Sequence, residues 1–318
     1  MRQLKIVLHL PSRLELNKCI ELAKRVQEAG LYAVSMPELI GDCSEDIFVR
    51  AAVLSQRFSE LRIIANVVNP LVRHPVVLAM ASSSCAKACK GKFILGLGSG
   101  SAVSLNALGI KDDRHPLSRL IESTEIIRKL VSGENLTYKG MHFSVSSVSL
   151  LSPTEYRIPI FIAAIRSASI RFAAPHADGI LLSSCSSEQY VKNALNMISR
   201  INHSDNFDIA CNILFVPLED RTEAMRIARS IAQRYLSIPE IGETLLKGAG
   251  FDPNIAAEIR RGSLARLTED ILDSLMVIGD RDKLLERINN FEKLGVTMSM
   301  IGSEPAFIER VASIIGRA

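Results

Sequence analysis

Three side chains of this sequence stand where chemistry is easiest to place. His9 stands next to last in the run Leu-Lys-Ile-Val-Leu-His-Leu, Glu38 follows Met36-Pro37, and Arg166 follows Ile-Phe-Ile-Ala-Ala-Ile. An imidazole titrates near neutrality and also serves as a neutral donor or acceptor. A carboxylate can stabilise a developing cation, and an arginine beside a helix start can hold a phosphate. Gly98-Ser99-Gly100, after Lys92-Phe93-Ile94-Leu95-Gly96-Leu97, adds a turn where missing Cβ atoms allow positive φ and close approach of a ligand. Each of these has a plainer reading: a hydrogen-bonded structural histidine or glutamate, a solvated arginine, glycines that only make a tight turn. The residues alone leave both open. The glycine turn lacks the full spacing of a dinucleotide fingerprint and the Lys-Ser/Thr of a phosphate loop. Arg119-Leu120-Ile121-Glu122 reads as a structural ion pair.

Cys19, Cys43, Cys85, Cys89, Cys185 and Cys211 are scattered as buried small hydrophobes would be. Cys85 and Cys89 share a helix face, but no nearby Cys or His pair completes a tetrahedral set, so no metal is expected. The expected strand ends also lack paired carboxylates and a Ser-His-Asp set. They are rich in Gly, Ala, Ser and amides, a surface suited to a large flat cofactor held by backbone contacts.

The elements that must position these residues alternate along the chain. Strands are predicted over 4–10, 32–36, 62–68, 92–97, 159–164, 178–182, 209–216 and 296–301. Helices are predicted over 15–29, 46–58, 74–87, 116–131, 167–174, 188–201, 224–235, 282–294 and 305–315. Pro116 suits a first helical turn and Gly133 a stop. Alternation at Met141, Phe143, Val145 and Val148 predicts a hairpin laid over the top of the sheet. The stretch 239–275 reads as several short helices. Eight strand–helix units without a Pro/Gly/Ser linker predict one α/β domain over 1–318, a (β/α)8 TIM barrel with insertions after strands four and seven; a doubly wound sheet is the alternative. A barrel puts its site at the C-terminal strand ends, where the residues above fall.

The chain has 318 residues, 47% hydrophobic, with no tryptophan. Its net charge of +4, from 38 basic and 34 acidic residues, is mixed rather than blocked, which argues against a nucleic-acid binder. No apolar run has the length of a membrane span, and the N-terminus enters a strand pattern without a signal-peptide core. A cytoplasmic protein is expected.

Asn69-Pro70, Arg73-His74-Pro75, the Lys92–Gly100 run, Pro116 to Glu122 and Ala177-Asp178-Gly179 together resemble the luciferase-like superfamily of flavin and deazaflavin enzymes. Within it, Asp270-Ile271-Leu272-Asp273, Ile278-Gly279 and Leu285-Glu286-Arg287-Ile288-Asn289, followed by Leu294-Gly295-Val296-Thr297, are similar to methylenetetrahydromethanopterin reductase. The resemblance implies a TIM barrel and hydride transfer between coenzyme F-420 and a pterin-bound one-carbon unit. It implies a non-prolyl cis peptide at Asn66-Val67 and a place for Asn69 beside the cofactor. It also implies ring contacts at Gly98, Ser99 and Gly100, and a phosphate loop at Ala163, Ala164, Arg166, Ser167 and Ala168. A homo-oligomer, dimer or tetramer, is implied as well.

Four departures fall in that site. His9 replaces an acidic residue, Pro37-Glu38 an Asp-His pair, and Asn66 the bulge glycine, while the phosphate loop lacks its glycine and proline. NADPH or FMN therefore stand as alternative carriers, and a ligand-binding paralogue without turnover as the alternative to an enzyme. If the enzyme reading holds, a protonated His9 would oppose a cation there, so His9 must be neutral or Glu38 must take over the carboxylate's role, and Glu38 is expected to do so.

Overall fold

A computed structural model describes residues 4–38, 45–100, 102–110 and 115–316. Cys43 and Ser101 lie outside them. Through α5, the chain runs β1 Lys5–His9, α1 Leu16–Glu28, β2 Ala33–Met36, α2 Ile47–Arg57, β3 Ile63–Val68, α3 Pro75–Ala88, β4 Phe93–Leu97, α4 Ala102–Ala107 and α5 Pro116–Val131. It continues through β5 Leu136–Lys139, β6 Ser144–Val148, β7 Ile160–Ala163, α6 Ser167–Ala173, β8 Gly179–Leu182, α7 Glu188–Ile198 and β9 Asp208–Val216. The last part is α8 Arg221–Leu236, α9 Ile241–Gly248, α10 Asn254–Arg260, α11 Glu269–Leu275, β10 Val277–Ile278, α12 Arg281–Leu294, β11 Met298–Gly302, a 3-10 turn Pro305–Phe307 and α13 Ile308–Ile315.

Eight strands pair in parallel in the order β1-β2-β3-β4-β7-β8-β9, and β11 joins β9 back to β1. The sheet therefore closes, and the fold is the expected (β/α)8 barrel. Local chemistry sets the helix starts. Pro75 and Pro116 occupy first-turn positions. The Asp46, Ser187, Asp220 and Asp280 side chains accept first-turn N–H groups. Gly295, at φ +112°, ends α12 in the left-handed region that glycine tolerates.

Three apolar clusters result. The largest lies between the outer face of the barrel and its helices. A second fills the barrel: Val7, Ala33, Ile64, Ile94, Phe161, Leu181, Ala210, Met298 and Met300. The third belongs to the excursion α8–α11 and reaches over Cys185, Leu214 and Val216 at neighbouring strand ends.

The hairpin β5–β6 departs from its expected place. Its turn does not cover the sheet but is fastened to α5, where the Glu122 carboxylate accepts the backbone N–H groups of Met141, His142 and Phe143 at 2.8–3.1 Å. Glu122 thus holds a turn by charge-assisted hydrogen bonds. The last strand starts two residues later than predicted, at Met298, and ends at Gly302. The short helix α4 and the two-residue strand β10 carry no periodicity long enough to read from sequence.

Candidate functional site

Side chains alternate across a strand, so the position two beyond each barrel-filling residue also points inward. Counting from the inner cluster gives one ring of eight at the C-terminal ends: His9, Ser35, Asn66, Gly96, Ala163, Ser183, Asn212 and Gly302. Five are polar (His9, Ser35, Asn66, Ser183 and Asn212) and three are glycine or alanine. This ring is the floor of the barrel mouth.

Four of the polar members are bonded in a row. His9 Nδ1 lies 2.9 Å from Ser35 Oγ. Asn66 Nδ2 donates to Ser35 Oγ at 3.2 Å and to Asn212 Oδ1 at 3.4 Å, with Met300 Sδ at 3.7 Å. Asn212 Nδ2 donates to the Leu182 carbonyl at 3.3 Å. Strands β3 and β9 stand opposite each other in the closed sheet, so the Asn66–Asn212 bond spans the barrel. Burial pushes the His9 imidazole down to about 4, because the cation would be desolvated. His9 is therefore neutral near pH 7. Ser35 is fully buried and inaccessible as a nucleophile.

The peptide Asn66-Val67 is cis, at the position that the resemblance implies. Pairing with β4 skips from Ala65 to Val68, and this bulge turns both Asn66 and Val67 toward the mouth. Val67 and Ala163 pack on the inner cluster as its apolar, partly exposed cap.

The residues expected to touch a cofactor divide into two groups. His9, Asn66, Val67 and Ala163 come together at the mouth. Gly98 lies beside them, but its missing Cβ makes room for protein: a methyl there would meet Val67 Cγ2 at 2.5 Å. Gly100, at φ +72°, likewise faces the Asn69 amide. Asn69 spends both ends locally, donating to the Ser99 carbonyl at 2.9 Å and accepting from Leu71 N–H at 2.8 Å. Asn69, Ser99 and Gly100 thus fasten the β3 loop to the β4 loop. Ala164 faces the helix layer and belongs to the outer core.

Arg166, Ser167 and Ala168 sit exposed at the rim. The Arg166 guanidinium is held by Glu240, at the start of α9. The helix behind it has seven residues, and its N-cap side-chain partner is Ser169, 3.1 Å from Arg166 N. At the expected phosphate cradle, Arg166 makes an exposed ion pair with Glu240.

Glu38 is also committed. Arg73 binds its Oε1 through Nε at 2.8 Å and Nη2 at 2.5 Å, and the same guanidinium reaches Asp46. Glu38 Oε2 is buried with no hydrogen-bond partner among the described residues. The five described cysteines are buried, and burial pushes the Cys85, Cys185 and Cys211 thiols up to about 12, so they are poor nucleophiles. Sequence reasoning missed Ser35 and Asn212 as site residues. Strand parity counted from His9 and Asn66 was the signal that could have found them.

The mouth fits a flat ring. Val67 and Ala163 offer an apolar surface, and His9 with Asn66 supply neutral polar groups at one edge. The rim fits a phosphate less well, since Arg166 already has a carboxylate partner.

A sequence model described as luciferase-like monooxygenase matches residues 7–298. The chain belongs to the luciferase-like monooxygenase family. Relatives in sequence include the 5,10-methylenetetrahydromethanopterin reductase of Archaeoglobus fulgidus, 25% identical over 82% of each chain. The F420-dependent glucose-6-phosphate dehydrogenase of Microbacterium testaceum is 28% identical over 88% of this chain and 85% of its own. Among solved structures, the coenzyme F420 dependent tetrahydromethanopterin reductase from Methanopyrus kandleri superposes with a TM-score of 0.85, 18% identity, over 99% of this chain and 98% of that one. At that identity the superposition shows the fold, here the luciferase-like barrel. No described helix is long and apolar enough to cross a membrane.

Proposed function

We propose that this luciferase-like protein is an oxidoreductase that moves a hydride between coenzyme F-420 and a pterin-bound one-carbon unit. The observation that carries the reading is the floor of the mouth: eight inward positions with no charged side chain and no thiol, framed by an apolar cap. Such a floor suits chemistry carried by a ring-shaped cofactor, with the protein supplying position and electrostatics. The names of the reductase and dehydrogenase relatives favour the deazaflavin as that ring.

When bound, the deazaflavin supplies the hydride. Val67 and Ala163 would support its face, and His9 and Asn66 would meet its edge. Glu38 would take the part of the missing carboxylate. Its Oε2 has no hydrogen-bond partner among the described residues, so the carboxylate would act on a cationic one-carbon unit through its field. Stacking of the two rings then supplies rate through orientation.

Thermal shifts with F-420, FMN, NADH and NADPH test the carrier. A ligand at a hundred times its dissociation constant adds about 2.7 kcal/mol of stability. F-420 alone should do so; stabilisation by FMN or NADPH instead moves the reading to that carrier. Glu38→Gln keeps shape and removes charge, and should lower kcat/KM by roughly tenfold, about 1.4 kcal/mol. Parent-like kinetics would remove Glu38 from the reaction.

A further inference from the structure

The row of hydrogen bonds on the mouth floor has a direction, and the direction decides what His9 offers. The anchor is the Leu182 carbonyl, which can only accept. The Asn212 amide must turn its nitrogen to it, at 3.3 Å, since the flipped amide would set two oxygens face to face. Asn212 Oδ1 then points across the barrel and fixes Asn66, whose nitrogen must face it at 3.4 Å. The same nitrogen reaches Ser35 Oγ at 3.2 Å, and Ser35 accepts. One hydroxyl hydrogen of Ser35 is left. Among the described residues the acceptor within its reach is His9 Nδ1, at 2.9 Å. If Nδ1 carried a hydrogen instead, a fully buried hydroxyl would hold its own hydrogen unspent, the arrangement that buried polar groups avoid.

We infer that Ser35, Asn66 and Asn212 are positioning residues that hold His9 as the Nε2–H tautomer, so that the histidine presents a neutral N–H donor to an acceptor in the barrel mouth. The imidazole's neutrality, enforced by burial, agrees with this. Gly302 leaves room for the His9 ring beside Ser35, since a Cβ there would lie 3.2 Å from Cδ2. No hydrogen bond to Nε2 exists among the described residues. The ligand class follows: a ring carbonyl or an unprotonated ring nitrogen, met by a donor rather than by the carboxylate that the resemblance implies at this strand end. That the ring is a deazaflavin rests on the proposed function; the tautomer does not.

The test is a long-range nitrogen–proton NMR spectrum of the ligand-free protein, with His9→Gln identifying the His9 signals. The expected result is one neutral form, with Nδ1 bare and Nε2 protonated. Ser35→Ala should convert it to a mixture of tautomers, and Ser35→Thr, which keeps the hydroxyl, should restore the single form. A protonated Nδ1 in the parent overturns the inference, whatever the variants do. So does a Ser35→Ala spectrum identical to the parent's. Added F-420 should then move the Nε2 signal and leave Nδ1 in place. Thermal stabilisation by F-420 with His9 unmoved would overturn His9 as a ligand contact. Absence of any stabilisation would instead count against the deazaflavin reading.

Discussion

Acidification should find His9 before it finds most of the chain. Burial lowers the imidazole from 6.5 to about 4. The sign follows from which state holds the proton. Below pH 6.5 the unfolded chain protonates this ring, and the folded chain does not until about 4, so the unfolded state gains across that window. The stability tied to a neutral His9 is complete above 6.5, falls between 6.5 and 4, and is constant below. At about 1.4 kcal/mol per unit, the whole window is worth about 3 kcal/mol, an upper figure because the ring keeps some exposure at the mouth. At about pH 5 the loss is already about 2 kcal/mol. The assay is urea unfolding, followed by circular dichroism, of the parent and of His9→Gln, which keeps a donor but does not titrate. Between about pH 7.5 and pH 5 the parent should lose about 2 kcal/mol more than the variant. Equal losses, within about 0.5 kcal/mol, would refute the reasoning, because they would mean that His9 charges as freely folded as unfolded.

Other outcomes follow from the rim, the bulge and the hairpin. If a phosphate-bearing ligand uses Arg166, Glu240→Gln should tighten its binding and Arg166→Ala should weaken it, more so at low salt, because the exposed pair itself is worth only about 0.2–1 kcal/mol; affinity measured by titration calorimetry and unchanged in both variants rejects the site. Gly98→Ala drives a methyl against Val67 and should cost about 1–3 kcal/mol in urea unfolding while displacing the bulge. Glu122→Ala removes the acceptor of three backbone N–H groups; hydrogen exchange at Met141, His142 and Phe143 should lose its protection while the barrel strands keep theirs.

Much of the frame was legible because the strands are short apolar runs stopped by glycine or proline, and a closed parallel barrel buries both faces of each. The bulge at Asn66-Val67 came from family resemblance; nothing in the local sequence announces it. Asn212 was hidden because it lies inside a nine-residue strand rather than at its end, where a polar residue draws no attention until its parity is counted. The Arg166–Glu240 pair joins residues 74 positions apart, and no local pattern reveals such a contact. Whether Glu38 was a structural or a reacting carboxylate stayed open in the sequence because its partner Arg73 lies beyond the next strand. The glycines after β4 were read toward a ligand, yet their space is taken by Val67 and Asn69.

The excursion α8–α11 leaves the barrel after β9 and returns through β10, which pairs with the end of that same strand: Val277 beside Phe215, Ile278 beside Val216. Its two ends are clasped at one strand spacing, about 4.8 Å. What happens between them is then mechanically private. Lengthening or trimming the segment changes its closure entropy by about 0.6 kcal/mol per doubling and pulls on no barrel strand. Because the segment also packs on an apolar cluster of its own, its sequence can drift without retuning the inner layers. A lineage can thus reshape the wall above the mouth, and with it what enters, while the floor beneath stays as it is.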